Sequence, residues 1–286
     1  IILRELEDLK IPRFLFLNKI DKANKRIRET LSTLQPASRT PLVLRQIPIW
    51  KGELIEGFVD LALERAFVYR EHAESQVIDM PADLADTEKS ERFAMLEKLA
   101  DHDDELMEQL LYDMEPPRDR VFAGLSRELA EGLITPVLFG SAEHGNGVGR
   151  LLKALRHEAP DVSITAKRLG LAPGAGTVAQ VLKTFHTPHG GKLSLARILR
   201  GDVADGVVFF GAKGQDARTA GVFTLMGSTP NKVPKATAGD TVALGRLDNV
   251  ATGETISTVK GQTTQLIAIE RAPGVYGMAI SVSDRK

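Results

Sequence analysis

At 286 residues the chain has room for about two domains. Its 43 % hydrophobic and 26 % charged residues are those of an ordinary globular protein, and no apolar run approaches the ~18–20 residues of a membrane-spanning helix. The absence of cysteine excludes disulfides, thiolate-bound zinc, iron–sulfur clusters and cysteine nucleophiles, and the net charge of −1 argues against the bulk basic footprint of a generic nucleic-acid binder.

That small total hides an uneven distribution. Residues 1–160 carry 22 Lys/Arg against 29 Asp/Glu, whereas residues 177–260 carry 10 against 6. An acidic half of solvated helices is therefore joined to a mildly basic half, a candidate surface for phosphates. The chain opens on Ile1-Ile2-Leu3, with neither an initiator Met nor a signal segment, so the sequence is expected to begin inside a domain.

In chain order, residues 3–10 read as the end of an amphipathic helix that Pro12 blocks. Phe14 to Leu17 is a short continuous apolar run, the pattern of a strand buried in a parallel sheet. Residues 22–34 place Ile27, Leu31 and Leu34 on one helical stripe. Between 43 and 80, Val43–Ile49, Phe58–Leu61, Val68-Tyr69 and Val77-Ile78 predict a small antiparallel meander. Residues 86–113 predict a helix or helix pair with Phe93, Leu96, Leu99, Leu106 and Leu110 facing the core, ended by Pro116-Pro117. A helix over 118–131, a buried strand at Thr135–Phe139 and a helix over 147–158 follow.

The Gly/Pro/Ala-rich stretch 170–176 reads as a boundary, after which the period switches from helical to alternating. Short strands are expected at 178–185, 193–198, 207–210, 221–225 and 241–244, which suggests a closed β-barrel. A further strand from Thr264 to Glu270, a turn at Pro273-Gly274 and a strand at Ala279–Val282 complete the reading.

Two turns carry chemistry. Asn18-Lys19-Ile20-Asp21 lies at the carboxyl end of the first buried strand, where open α/β sheets bind ligands. A carboxylate there can accept two parallel hydrogen bonds, matching the ring N–H and exocyclic amine of guanine. Adenine offers an acceptor where guanine has the ring donor, so Asp21 would discriminate by leaving a buried group unpaired. The stem of Lys19 can lie over the base, and the Asn18 amide can tie neighbouring loops. Gly140-Ser141-Ala142 follows the second buried strand. Its Ala142 N–H can donate to a guanine O6, and the Ser141 hydroxyl can brace Asp21. Either turn alone is an ordinary strand–helix connection; the pair is more specific.

These two motifs resemble the last two guanine-nucleotide motifs of the translational GTPases. Within that family the sequence looks like elongation factor G or an elongation factor G-like paralogue. QIPIWKGELIEGFVDL, IDMPADL and ADHDDELMEQLL resemble the insertion peculiar to elongation factor G. KTFHTPHGGKLSLARILRGDVADG, AGDTVAL and ATGETIS resemble its second domain. The resemblance implies a multidomain α/β plus all-β chain. Residues 1–165 would be the C-terminal part of a P-loop GTPase-type domain, with an α+β insertion at about 43–132. Residues 166–176 would be a linker, 177–260 the β-barrel second domain, and 261–286 the start of a third.

By the same resemblance, the intact protein would bind GTP or GDP with Mg2+ and couple hydrolysis to ribosomal translocation or recycling. It would act in the cytoplasm, as a monomer, with the ribosome and guanine nucleotide as partners and no membrane. The sequence contains no GxxxxGK(S/T) phosphate loop and no DxxG motif preceded by a switch threonine. An internal fragment is therefore expected, one with no catalytic residue, no metal site and no cofactor bound on its own. The competing expectation is a non-enzymatic ribosome- or protein-binding module that has lost nucleotide binding.

The basic strip Lys183, His186, His189, Lys192, Arg197 and Arg200 is the best phosphate-facing candidate, and the resemblance implies that it faces ribosomal RNA. His186-Thr187-Pro188-His189 reads as a loop between barrel strands rather than a metal pair. The acids Asp101, Asp103, Asp104 and Glu105 read as a solvent-facing helix surface.

Overall fold

The computed structural model describes residues 1–22, 27–187, 191–211, 214–227, 229–261, 265–267 and 275–279. The chain divides into two compact units, Ile1–Pro160 and Asp161–Lys286. No helix among the described residues is long and apolar enough to cross a membrane.

The first unit opens with helix α1 (Ile2–Asp8), strand β1 (Leu15–Leu17), a short 3-10 turn at Ile20–Lys22, and helix α2 (Ile27–Leu34). Strand β2 (Leu42–Leu44) precedes an antiparallel meander of β3 (Gln46–Lys51), β4 (Leu54–Asp60), β5 (Arg65–Arg70) and β6 (Ala73–Ile78). Helices α3 (Ala85–Ala100), α4 (Asp104–Leu111) and α5 (Arg118–Glu131) lead to strand β7 (Thr135–Phe139) and helix α6 (Val148–Glu158).

β7 is the centre of a parallel sheet ordered β1-β7-β2, and all five of its residues are buried. Pro136 is tolerated there because pairing with β1 begins only at Val137, so its missing N–H breaks no bond on that side. The expected strand 43–49 is in fact two strands in two sheets. The chain crosses between them at Arg45, whose N–H bonds to Val137 O (3.0 Å) and whose carbonyl receives Leu61 N (3.0 Å). Arg45 is fully buried, with its guanidinium on Glu158 (2.5 and 3.4 Å); Arg150 bridges Glu158 (3.6 Å) to Asp60.

Two apolar clusters fill this unit. Ile47, Ile49, Val59 and Leu61 pack against Leu96 and Leu99 of α3, Leu106 of α4, and Val121 and Leu125 of α5. Ile20, Ile27, Ile55, Phe58 and Phe139 form a second cluster. The expected core stripe of α3 is corrected at Phe93, which is 46 % exposed while Arg92 is buried. Arg92 lies inward because its guanidinium donates to Leu61 O (2.5 Å) and pairs with Glu64 (3.3 Å). Asp103 is likewise not solvent-facing. It caps α4 through Leu106 N (3.0 Å) and receives Arg120 and Arg127, each at 3.0 Å.

The second unit begins with helix α7 (Val162–Arg168), capped by Asp161, an element absent from the sequence reading. The strands that follow are β8 (Val178–Thr187), β9 (Gly191–Arg200), β10 (Asp202–Ala204), β11 (Val208–Phe210), β12 (Asp216–Arg218), β13 (Val222–Met226), β14 (Thr229–Val233), β15 (Lys235–Thr237), β16 (Thr241–Gly245) and β17 (Thr255–Ser257). Eight of them form a sheet ordered β12-β11-β17-β8-β9-β16-β13-β14, and β10 pairs with β15 as a separate ribbon. Sheet and ribbon wrap a single core of Val181, Ile198, Val203, Phe209, Val222, Ala236, Leu244 and Ile256, which makes this unit a β-barrel. His186 and Thr187, expected in a loop, continue β8 because they still pair with Lys192 and Gly191 of β9.

Of the expected strand from Thr264 to Glu270 only 265–267 are described, and they form no strand. Instead Leu266 N bonds to Thr255 Oγ1 (2.9 Å). Pro188, His189, Pro273, Gly274 and 280–282 lie outside the described residues.

Candidate functional site

Because β1 and β7 are parallel neighbours, the turns that follow them emerge side by side. Gly140 N donates to Leu17 O (3.0 Å), and Ile20 N donates to Gly140 O (3.3 Å), so the two turns are laced together by main chain. Ile20 anchors the first turn in the cluster with Phe58 and Phe139. Gly140 is obligatory for this approach: a methyl group there would lie 2.2 Å from Asn146 O and 2.7 Å from the Phe16 ring. Past Ala142 the second turn folds back, with Ser141 N on Asn146 O (2.9 Å) and Gly145 N on Ala142 O (3.3 Å), before α6 starts.

The five residues expected to meet a purine are brought together. Asn18 Oδ1 accepts from Ala142 N and from Lys19 N, both at 2.9 Å. The Ala142 N–H is therefore already engaged, and donation to a purine O6 requires the Asn18 amide to turn away. Lys19 is exposed and holds a left-handed backbone (φ +63°), a costly conformation for a residue with a Cβ and one that concentrates at functional turns.

The Ser141 hydroxyl holds the Asp21 carboxyl below the usual carboxylate range. Its own backbone N–H, Lys22 and His144 add to this against the opposing effect of burial. Yet Ser141 Oγ and Asp21 Oδ1 are both buried and complete no hydrogen bond of good geometry, and neither does Asn146 Oδ1. Three unsatisfied polar atoms within one pair of turns are unusual, because a native fold pairs nearly all such groups.

Five residues of this region escaped the sequence reading. His144 Nδ1 lies 3.2 Å from Glu71 Oε1, at the β5–β6 turn, and its Nε2 is 3.9 Å from Asp21 Oδ2. His72 N donates to His144 O (3.1 Å), and Lys22 pairs with Glu143 (3.1 Å). His144 and Glu143 follow Ala142 directly, but nothing local in the sequence brings the Glu71-His72 turn to them.

The basic strip is organised differently. Lys192 donates to Asp248 O (3.0 Å) and to Val250 O. Arg200 donates to the carbonyls of Gly176 (3.2 Å), Ala172 (2.6 Å) and Ala175 (3.0 Å). Arg197 reaches Thr241 Oγ1 (3.1 Å), and exposed Lys183 lies 5.1 Å over the Phe185 ring. Lys192 and Arg200 thus place donors on carbonyls of the barrel's own loops.

A parallel sheet with paired strand-end turns, an antiparallel insertion packed with helices and a following β-barrel together define a translation-factor type of architecture. The comparisons agree. Residues 177–259 match the family described as Elongation factor G domain 2. Over 283 residues the chain is 43 % identical to the Elongation factor G-like protein of Synechocystis sp., covering 98 % of this chain and 41 % of that relative. It is 28 % identical over 276 residues to Elongation factor G of Rhodopirellula baltica, covering 91 % and 39 %. A crystal structure from Thermus thermophilus shares the fold with a TM-score of 0.78 at 22 % identity, covering 93 % of this chain and 39 % of that one. The chain belongs to the elongation factor G family, and it spans about two fifths of the length of these curated relatives.

Proposed function

We propose that the turns at 18–21 and 140–142 are the base-selecting half of a guanine-nucleotide site. Asp21 takes the ring N–H and exocyclic amine, Lys19 covers the base and Ser141 braces Asp21, while Asn18, which ties the turns in the free protein, turns its amide away so that Ala142 N–H reaches O6. The observation that supports this is the bond from Ala142 N–H to Asn18 Oδ1 at 2.9 Å, which sets an acid and a main-chain donor on adjoining turns. In the whole protein this selection would serve GTP binding with Mg2+, and hydrolysis coupled to ribosomal translocation or recycling in the cytoplasm. The division into residues 1–165, a linker at 166–176, a barrel at 177–260 and a third domain from 261 belongs to the same proposal. So does an RNA-facing role for the barrel around Lys183.

Selectivity for the base is the test. Amide chemical shifts of Ile20, Asp21, Ser141 and Ala142 should move with guanosine and stay put with adenosine. Asp21→Asn replaces one acceptor by a donor, so it should lose guanosine and gain xanthosine, whose second oxo group complements the amide. Equal shifts with guanosine and adenosine, or none with either, would leave the binding-module reading in place. Because the 286-residue chain contains no phosphate loop, GDP should bind it more weakly than micromolar, as calorimetry can check.

A further inference from the structure

The side chains around Asp21 have a second geometry. One ligand atom each from Asp21, Glu143 and His144 lies within 4.8 Å of the others. His144 points Nε2 toward Asp21 Oδ2 (3.9 Å), too far for a hydrogen bond and about 0.5 Å wider than two tetrahedral ligands on one ion, a gap that a small turn of the half-exposed imidazole closes. Its other nitrogen meets Glu71 Oε1 at 3.2 Å. A carboxylate behind a histidine, fixing its tautomer and aiming the free nitrogen, is the arrangement found around metal-bound imidazoles.

An independent observation points the same way. Ser141 is 1 % exposed with its hydroxyl toward the Asp21 carboxylate, and neither Ser141 Oγ nor Asp21 Oδ1 completes a hydrogen bond of good geometry. The region has acceptors to offer. Among the described residues the opposing group is Lys22, whose ammonium sits 3.1 Å from Glu143 and must swing aside; both side chains are exposed, so this costs little.

We propose that Asp21, Glu143 and His144, with Glu71 behind the imidazole, bind a borderline divalent ion of the Zn2+ type, and that the ion excludes a purine from Asp21. Two carboxylates and one imidazole suit such an ion, leaving an open position for water. The exclusion rests on the guanine reading; the metal site does not.

The test titrates the 286-residue chain with zinc chloride, without nucleotide, while following the His144 imidazole nitrogens by NMR. One equivalent should bind, shifting Nε2 and not Nδ1. His144→Ala and Glu143→Gln should each weaken binding at least tenfold, and Glu71→Gln, a change outside the ligand set, about tenfold. Lys22→Met should tighten it. All four positions are exposed or half-exposed, and an unchanged amide spectrum elsewhere shows that each variant is folded. A zinc affinity that ignores His144→Ala and Glu143→Gln, or a shift at Nδ1, would overturn the site. Guanosine, which has no phosphate to chelate zinc, then tests exclusion. Loss of its shifts on zinc addition supports exclusion, and their persistence overturns it. No guanosine shifts even without zinc would sink the guanine reading and leave the metal site standing.

Discussion

Two regions of this molecule read alike in sequence and differ in structure. The turns after β1 and β7 and the cationic strip along β8 and β9 both place polar residues where a ligand is expected. At the turns, Ser141 Oγ, Asp21 Oδ1 and Asn146 Oδ1 stay buried and unpaired. Along the barrel, Lys192 and Arg200 place their donors on five backbone carbonyls of their own unit. Short side chains on taut turns leave part of their hydrogen-bonding capacity unused. Long cations on flexible stems satisfy themselves nearby. The turns thus hold three such unpaired atoms close together, where the strip's strand β9 buries one, Ser194 Oγ.

The largest effect expected from this view lies beneath the turns. Arg45, Glu158, Arg150 and Asp60 form a buried ionic network that fastens α6, and so the second turn, to β4. Arg45→Ala leaves Glu158 without its closest partner in a dry site and should cost about 3–5 kcal/mol, read by urea unfolding. If the network also positions the turn, the amide shifts of Ser141 and Ala142 should change as well. Unchanged shifts in folded protein would confine the network to stability.

Glu128 is the place where the rule could break. Its Oε2 is also buried and unpartnered, yet it lies on α5 with no turn beside it. Burial pushes its carboxyl up to about 7, against the pull of Arg127. A neutral carboxylic acid, not a ligand, resolves this unpaired group. The folded state holds a proton that the unfolded chain releases near 4.5, so stability should fall as pH rises from about 4.5 to about 7, by on the order of 3 kcal/mol. Glu128→Gln should flatten that stretch of the profile in thermal unfolding at graded pH. A smaller loss, about 1–2 kcal/mol, is expected for Arg200→Ala, which orphans three partly solvated carbonyls. Were the strip chiefly an RNA surface, Arg200→Ala would leave stability untouched.

The paired turns were legible because each follows an apolar run, Phe14–Leu17 or Thr135–Phe139, long enough to announce a buried strand. The helices read at 118–131 and 147–158 were legible from their period. What failed did so for physical reasons. β14 is five residues, four of them exposed, so it has no alternation to read. Phe93 yields its place in the core to Arg92 because a buried guanidinium found Leu61 O and Glu64, partners that no spacing rule can supply. The split at Arg45 was invisible because strands in two sheets follow one another without a turn. Glu71 reaches His144 only through the hairpin's docking, a tertiary fact with no local trace.

The smallest change offers the finest discrimination. Ser141→Ala deletes a buried hydroxyl that completes no good hydrogen bond, so stability near neutral pH should move by no more than about 0.5 kcal/mol. The same hydroxyl is the foremost cause of the lowered Asp21 carboxyl, so its loss should return that group toward 3.8. A lowered folded-state value contributes stability above 3.8 that is lost as pH falls through the folded value. The variant should therefore give up only that acid-side contribution. Guanosine shifts should weaken in the same variant, because the brace on Asp21 is gone. A residue whose removal leaves the fold indifferent while altering one carboxylate and one ligand would separate the turns from the barrel strip, where removing a cation damages the fold first. If Ser141→Ala instead destabilised the protein by several kcal/mol at neutral pH, its hydroxyl would be holding the turn itself, and unsatisfied capacity would no longer distinguish the two regions.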